Sequence, residues 1–551
     1  MPSSRSKPHA ALLPAALMLA LAGCGQETAD VPSPRPIVLD GRFDDWAGVP
    51  ALLADPVDAA AGSQLELTTL QVADDPAWLY LVVSVGRPVN VQAMAGTLHL
   101  LVDADADPAT GGVLWGMEGV DYSLDLSRMD RPQAGGHGAG FALRPVDSDG
   151  PAALRSAYDL RVAGMPTWAS DRFELRIWRA GADDGLGRLG RVVRMKLVFA
   201  AGPVGEVVQD AAGGAAGPVP AARPVGDETE VAAYTFATQA GPDPLVPTIA
   251  PVRSKPGGSV RVAQWNVSEG SFRRPEDHAR ILGALEPDVL MLDEVYEEIS
   301  DSALADFFAH PSLAALGEWR WVRSTSGGRQ KTVVAARARS IRPAASMERV
   351  DHAPDALDSL RGRVPPEAHH MVDQERSAGM SSTGAWVDLG GREVLFVPLD
   401  LQSAGYLGSP QDLLRELQAR TLHRYVSAEI GTGAERGPVV IGGDFNPVGS
   451  ATPVDILARG LDVDGSDLTL AEPRRLGQAT LATWQDVGAG VFAPGRLDLT
   501  LYPDVSIEAT GGFVFDTADL TDGQLAELGL DRHLSSVTSD HLVVVTDLRL
   551  R

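Results

Sequence analysis

The chain has 551 residues, 44% of them hydrophobic, with 47 basic against 73 acidic side chains, a formal charge of −26 and one Cys. That length exceeds what one core serves and predicts two or three domains, while ordinary hydrophobicity and a 22% charged fraction exclude a wholly disordered chain. The acidity excludes a general nucleic-acid coat, which needs a basic stripe, and a single Cys excludes an internal disulfide or a Cys-based zinc site.

The chain opens with Arg5 and Lys7 before an apolar run from Ala10 to Ala22. That is the length of a signal-peptide core and too short to span a bilayer comfortably. The run ends in Leu21-Ala22-Gly23-Cys24, which resembles a bacterial lipoprotein signal with its lipobox. The resemblance implies cleavage before Cys24, lipidation of its thiol and a membrane partner through the acyl chains, each buried CH₂ contributing ~0.8 kcal/mol. Gly25 rather than Asp after the Cys points to the outer membrane or cell surface of the envelope.

Residues 25–36 are polar and Pro-rich and read as a tether. Two further Ala-, Gly- and Pro-rich stretches, about 201–226 and 240–258, flank the strand-like Glu230–Thr238. These mark a first domain over 37–240, a linker over 241–258 and a second domain over 259–551.

In the first domain, β-rich segments recur at Leu65–Val72, Trp78–Val85, Thr97–Val102, Tyr122–Leu126, Phe173–Trp178 and Val192–Phe199, separated by turn signals. That pattern predicts an all-β sandwich. Asp40-Gly41-Arg42-Phe43-Asp44-Asp45-Trp46, the strand Trp78-Leu79-Tyr80-Leu81, and Leu98–Asp107 leading to Thr110-Gly111-Gly112 resemble sandwich modules related to family 9 carbohydrate-binding modules and DOMON-type domains. The resemblance implies a glycan or envelope-polymer ligand, with Trp46, Trp78, Trp115 and Trp168 as the available aromatics; Trp46 and Trp78 lie inside the motifs and read better as core. Asp103, Asp105 and Asp107 alternate after a strand, and read either as oxygen ligands for Ca²⁺ or as a solvated acidic turn.

The second domain carries the chemistry. Ser259–Trp265 alternates like a strand and delivers Asn266; Pro275–Leu285 reads as a helix; Val289–Leu292 is a buried strand ending at Asp293-Glu294. Pro438–Gly442 is another apolar strand, ending in Gly443-Asp444-Phe445-Asn446. Asp498 alternates on Arg496–Leu501, and Ser539-Asp540-His541 precedes a last strand. Taken singly, each is a common strand-end residue. Together and in this order they resemble the endonuclease/exonuclease/phosphatase superfamily across all of 259–551.

The resemblance implies a four-layer α/β/β/α sandwich and a phosphoester hydrolase dependent on Mg²⁺ or Mn²⁺. It assigns Glu294, with Asn266 and Asp540, to the metal side. His541 exchanges protons, Asp498 orients it, Asp444 handles the attacking water, and Asn446 hydrogen-bonds the phosphate. Many relatives carry a His where this chain has Asp400, which as an acid serves only as a protonated donor or a further ligand. Many also have Gln where this chain has Asp293. Arg329 and Lys331, in a Gly-flanked turn, are the candidates for gripping phosphate. His369 and His370 sit in a Pro-rich insertion, about 351–383, and read as loop residues. The expected substrate is a phosphoester, with nucleic acid among the classes; monoesterase and phospholipase-like activities are chemically equivalent. The rival expectation is a non-catalytic surface-binding lipoprotein, supported by Asp400. The second domain holds 27 basic and 43 acidic residues, a charge of −16 that does not favour a polyanion.

Overall fold

The computed structural model describes residues 37–551, apart from 60–62, 64, 132, 202–224 and 268–273. Cys24 and the signal and tether expected over 1–36 lie outside the described residues.

Among the described residues, two large antiparallel sheets and a two-stranded one, Gly112–Leu114 with Met117–Val120, build the N-terminal region. One large sheet runs in the order Ala51–Ala54, Leu67–Asp74, Trp78–Val89, Ser170–Trp178, Ala163–Met165. The other is centred on Val192–Ala201, Gly96–Asp103, Tyr122–Leu126 and Phe141–Asp147. All six β-rich segments read from the sequence lie on these strands. Side chains alternate across each strand, so Leu70, Leu81 and Phe173 of the first sheet meet Leu100, Leu124 and Phe199 of the second in one core. The outer face of the first sheet is also covered: Trp46, Trp78, Tyr80 and Met165 pack there with Ala482 from the far end of the chain. Trp46 donates its indole N–H to Glu174 (3.1 Å), and Trp78 meets Trp178 edge-on at 4.8 Å, so both are core residues.

Residues 259–551 form two further sheets. The seven-stranded one places Val289–Tyr296 beside Val260–Asn266, which neighbours Val543–Leu550. The six-stranded one runs through Glu393–Asp400, Val439–Asp444 and Asp498–Tyr502. Strand periodicity sorts the side chains. Met291, Phe396 and Val440 face inward between the sheets. Leu290 and Leu292 face outward under the helices Pro275–Leu285 and Asp301–Phe308, while Leu395 and Val397 do so under Pro410–Ile430. The helix Pro410–Ile430 starts with Ser409 accepting from the Asp412 N–H (3.3 Å) and Pro410 in its first turn, and stops at Gly431, whose φ of 77° ends the helical path.

Residues 241–258, expected as a linker, are mostly exposed, and the short helix Ala250–Arg253 within them docks through one residue. Val252 enters the second core, and the buried Arg261 guanidinium donates to Pro251 O (2.6 Å) and Val252 O (2.9 Å) while pairing with Asp547 at 2.8 Å. The two regions are joined elsewhere as well. Asn90 donates to Val448 O (2.7 Å) and Gly449 O (3.1 Å) and accepts from Leu407 N–H (2.7 Å). The Tyr158 hydroxyl donates to Phe492 O (3.1 Å) and accepts from Asp486 N–H (2.8 Å). His137 stacks on Tyr406 at 3.6 Å, and Ala493 is a member of the N-terminal core.

Candidate active site

Register places the acids. Asp400 is paired with Asp444 across parallel strands, and Asp444 with Asp498 across an antiparallel pair, so three carboxylates stand abreast at one sheet edge. Neighbouring residues in register present their side chains to the same face. The facing sheet contributes Asn266 at the end of Val260–Asn266 and Glu294 at a β-bulge in Val289–Tyr296. Glu294 sits at φ 55° and Asn446 at φ 44°; Asn tolerates this left-handed region, but for Glu294 it is costly, and such strain concentrates at functional sites.

Hydrogen bonds lock the group together. Asn266 Nδ2 donates to Glu294 Oε1 (3.1 Å) and Asp444 Oδ2 (3.3 Å), tying the two sheets. Asn446 Nδ2 donates to Asp444 Oδ2 (2.8 Å) and Leu401 O (2.9 Å), and its backbone N–H to Asp444 Oδ1 (2.8 Å). Carboxylates only accept, so the amide nitrogens must face them. Both hydrogens of the Asn446 amide are thereby engaged, which makes it a holder of Asp444; the phosphate-donor role expected from the resemblance would require one of these bonds to break.

His541 lies against Asp498, Nδ1 being 2.9 Å from Oδ2, while Nε2 is 3.7 Å from Asp444 Oδ2. Its backbone N–H donates to Ser539 Oγ, which donates to Asn266 O. The Trp484 indole N–H donates to Asp540 Oδ2 (2.9 Å), and the Asp498 backbone N–H donates to Thr483 Oγ1 (3.0 Å).

Crowding acids in a buried place shifts them together. Burial, reinforced by Asp400, Asp498 and Asp444, pushes Asp293 well above the usual carboxylate range. Burial and the charges of Glu294 and Asp444 do the same to Asp400. Burial pushes Asp444 up to about 7 against the opposing pull of His541, and also raises Glu294. His541 would be lowered by burial, yet Asp498 and Asp444 outweigh that and hold it well above an ordinary imidazole.

The donor types are those a hard divalent cation takes, although among the described residues no three acids or imidazoles of the cleft converge as closely as Asp55, Asp58 and Asp227 or Asp103, Asp105 and Asp121 do. The groups are all oxygen acids or amides, and Asp293 holds both carboxylate oxygens buried without a hydrogen-bond partner. Away from the cleft, Asp103 and Asp105 come together with Asp121, not with Asp107. Asp107 turns back to accept from Ala109 N–H, whereas the Asp103 Oδ1 is buried without a partner and its Oδ2 pairs with Arg194 at 3.0 Å. Sequence spacing alone could not place Asp121, which arrives from the next strand region.

Glu294, Asp400, Asp444, Asn446, Asp540 and His541 line one cleft of about 680 Å³. Arg329 and Lys331 do not line it. Arg329 lies over the Tyr296 ring at 4.2 Å, and Lys331 donates to Ser326 O (3.2 Å). Gln330 between them lines the cleft and hydrogen-bonds Glu294. Strand alternation explains the swap: in a turn running into a strand, residues 329 and 331 share the face opposite 330. The insertion expected as loop forms the helices Pro354–Arg363 and His369–Ala378, and the second supplies His370, Gln374 and Glu375 to the cleft wall. His369 takes no part in that lining.

Residues 263–541, just over half the chain, match the model of the Endonuclease/Exonuclease/phosphatase family. No curated protein matches the chain. Among solved structures, it is similar to humanized D. rerio TDP2 (14% identity over 53% of this chain and 100% of that one, TM-score 0.33). It is also similar to the human Nocturnin catalytic domain with bound sulfate anion (16%, 53% and 95%, 0.32) and to ANGEL2, a 2',3'-cyclic phosphatase (14%, 53% and 95%, 0.34). With its family motifs meeting in one cleft and half its length matched, the chain belongs to the Endonuclease/Exonuclease/phosphatase family.

Proposed function

We propose that the chain is a divalent-metal-dependent phosphoester hydrolase anchored in the bacterial cell envelope by a lipid on Cys24. The carrying observation is the His541–Asp498 pair set beside Asp444, opposite Glu294 and Asn266. Glu294, Asn266 and Asp540 are the residues that would hold Mg²⁺ or Mn²⁺, with the Asp400 carboxyl group close to Glu294. When bound, such an ion neutralises phosphoryl oxygens and stabilises the departing oxygen.

The chain's own residues supply the rest. Asp498 accepts the Nδ1 proton of His541, fixes the tautomer and supports the imidazolium. With its basicity raised, His541 presents an Nε2 proton to a phosphoryl oxygen. Asp444, at about 7, is matched to take a proton from water near neutrality, and Asn446 keeps its carboxylate aimed. Diester, monoester and phospholipid headgroup are equally served by this chemistry, and nucleic acid remains one substrate class. The N-terminal region is proposed as a module of the family 9 carbohydrate-binding and DOMON type with a glycan ligand, and Asp103, Asp105 and Asp121 as its Ca²⁺ ligands.

The test is an assay of the full chain on an aryl phosphodiester, an aryl phosphomonoester and plasmid DNA, with Mg²⁺, with Mn²⁺ and with chelator. Turnover is expected only with metal, and His541→Ala and Glu294→Gln should each lower kcat by about 10²–10⁴. No turnover on any substrate, together with no metal binding by calorimetry, would sink the proposal. That result would favour the second reading, a binding lipoprotein with a degenerate hydrolase fold, for which Asp400 in place of a cationic His is the specific support.

A further inference from the structure

The cleft is not built by the catalytic domain alone. Asn90, Gln92, Gln133 and Thr167 of the N-terminal region line it together with the catalytic residues. The contacts that bring them there are specific. Gln92 Oε1 accepts from Ala493 N–H (2.8 Å), Thr167 Oγ1 accepts from Arg496 N–H (2.9 Å), and Asn90 spends its whole amide on residues 407, 448 and 449. The segments so held, around 403–411 and 484–497, themselves line the cleft.

The chemistry of the wall is equally definite. Among the described residues that line the cleft, none is Lys or Arg. The wall is rich in uncharged amides instead, including Gln133, Gln330, Gln374 and Gln411. A polynucleotide brings a negative charge with every nucleotide, and proteins that hold one neutralise several phosphates with Lys and Arg. Amides both donate and accept, which is the pattern that hydroxyl groups satisfy. Trp484 and Phe492 add flat apolar surface beside them, and a cavity of about 680 Å³ is of the size that encloses one small molecule.

We propose that the N-terminal sandwich and the catalytic domain form one shared substrate cleft, and that it takes the phosphoester of a compact, uncharged, polyhydroxylated alcohol, of the sugar or polyol class, rather than a polynucleotide. This rests on the hydrolase function proposed above. The scissile phosphate lies at the acid- and His541-lined floor, and the alcohol lies between the amides of the two domains. Gln374 and Gln411, whose side-chain amides have no protein partner among the described residues, and Gln133 from the sandwich side meet its hydroxyls.

The test uses the full chain with Mg²⁺ and four probes: glycerophosphoinositol, glucose 1-phosphate, bis(p-nitrophenyl) phosphate and a single-stranded DNA oligomer. At least one of the first two should exceed DNA in kcat/KM, and which of them wins tells diester from monoester. Gln133→Ala, Gln374→Ala and Gln411→Ala should each raise KM for the better polyol ester about tenfold, with kcat shifting far less, as expected when binding hydrogen bonds to a hydroxyl are lost. Turnover of the aryl diester and DNA but of neither polyol ester overturns this inference and leaves the hydrolase function standing. No turnover of any probe overturns both. A Gln133→Ala enzyme with unchanged KM, beside raised values for the other two variants, overturns the sandwich's share in the cleft.

Discussion

At the residue scale, the decisive feature is one imidazole between two carboxylates. Asp498 binds Nδ1 of His541 at 2.9 Å and Asp444 stands 3.7 Å from Nε2. The proposed hydrolysis needs two protonation states at once: Asp444 ionised and His541 protonated. Asp444 is pushed up to about 7 and His541 is held well above its ordinary range, so the window opens around neutrality. The pH profile of kcat/KM should therefore be bell-shaped, rising through about pH 7 and falling at higher pH, the limbs belonging to the pair rather than to either group. Asp498→Asn removes a charge that raises His541, so the falling limb should move to lower pH while kcat drops by about 10²–10⁴. An unmoved limb would show that Asp498 does not set the imidazole. These residues were legible because an acid or amide at the end of an apolar strand has few ordinary reasons to recur in that order. Gln330 was not, because which face of a turn reaches a cleft is decided by tertiary placement, and there it is Gln330, not the expected Arg329 and Lys331, that reaches it.

At the element scale, strand ends concentrate charge that the fold does not neutralise. Asp400 and Asp444 end neighbouring strands of one sheet and Asp293 stands at the bulge of Val289–Tyr296 in the facing sheet, and burial raises all three above the unfolded carboxyl value near ~3.9. Between the unfolded and folded values the native state binds more protons, so stability falls as pH rises through that window. His541, also raised, acts with the same sign: its contribution is full below the unfolded imidazole value and is lost as pH rises through the folded one. Chelated protein should thus melt higher at pH 6 than at pH 8, and added Mg²⁺ should narrow the gap. Asp293→Asn removes a buried carboxylate that has no hydrogen-bond partner, and should raise the melting temperature of chelated protein at pH 8 by a few degrees, corresponding to about 1–3 kcal/mol. A melting temperature independent of pH between those values would contradict this account. The strands and the helix Pro275–Leu285 were readable from alternation and from Pro signals. The helical pair at 354–378 was not: mean hydropathy along it is low, and only a narrow stripe, Leu357, Leu360 and Val372, is buried, against Leu414 of the long helix.

At the scale of the whole molecule, the two domains expected on either side of a linker over 241–258 pack residues into one another's clusters. Ala482 lies under the outer face of the first sheet and Ala493 inside the N-terminal core, while Val252 from the expected linker belongs to the core of the second domain. None of this was visible in sequence, since an interface of small apolar residues and backbone hydrogen bonds leaves no periodic signature. The consequence is mechanical. Asn90 bonds three backbone groups across the boundary, and the loops it fixes, which follow Asp400 and Asp444, carry cleft residues. Asn90→Ala leaves those backbone groups without their partner in a buried place, at a cost of about 1–3 kcal/mol each where water does not replace it. The variant should therefore unfold at lower temperature and also show a raised KM, because loosening the boundary loosens the cleft. If the two regions were merely adjacent, the same substitution would lower the melting temperature and leave KM where it was, so the two readouts separate a shared cleft from a passive contact.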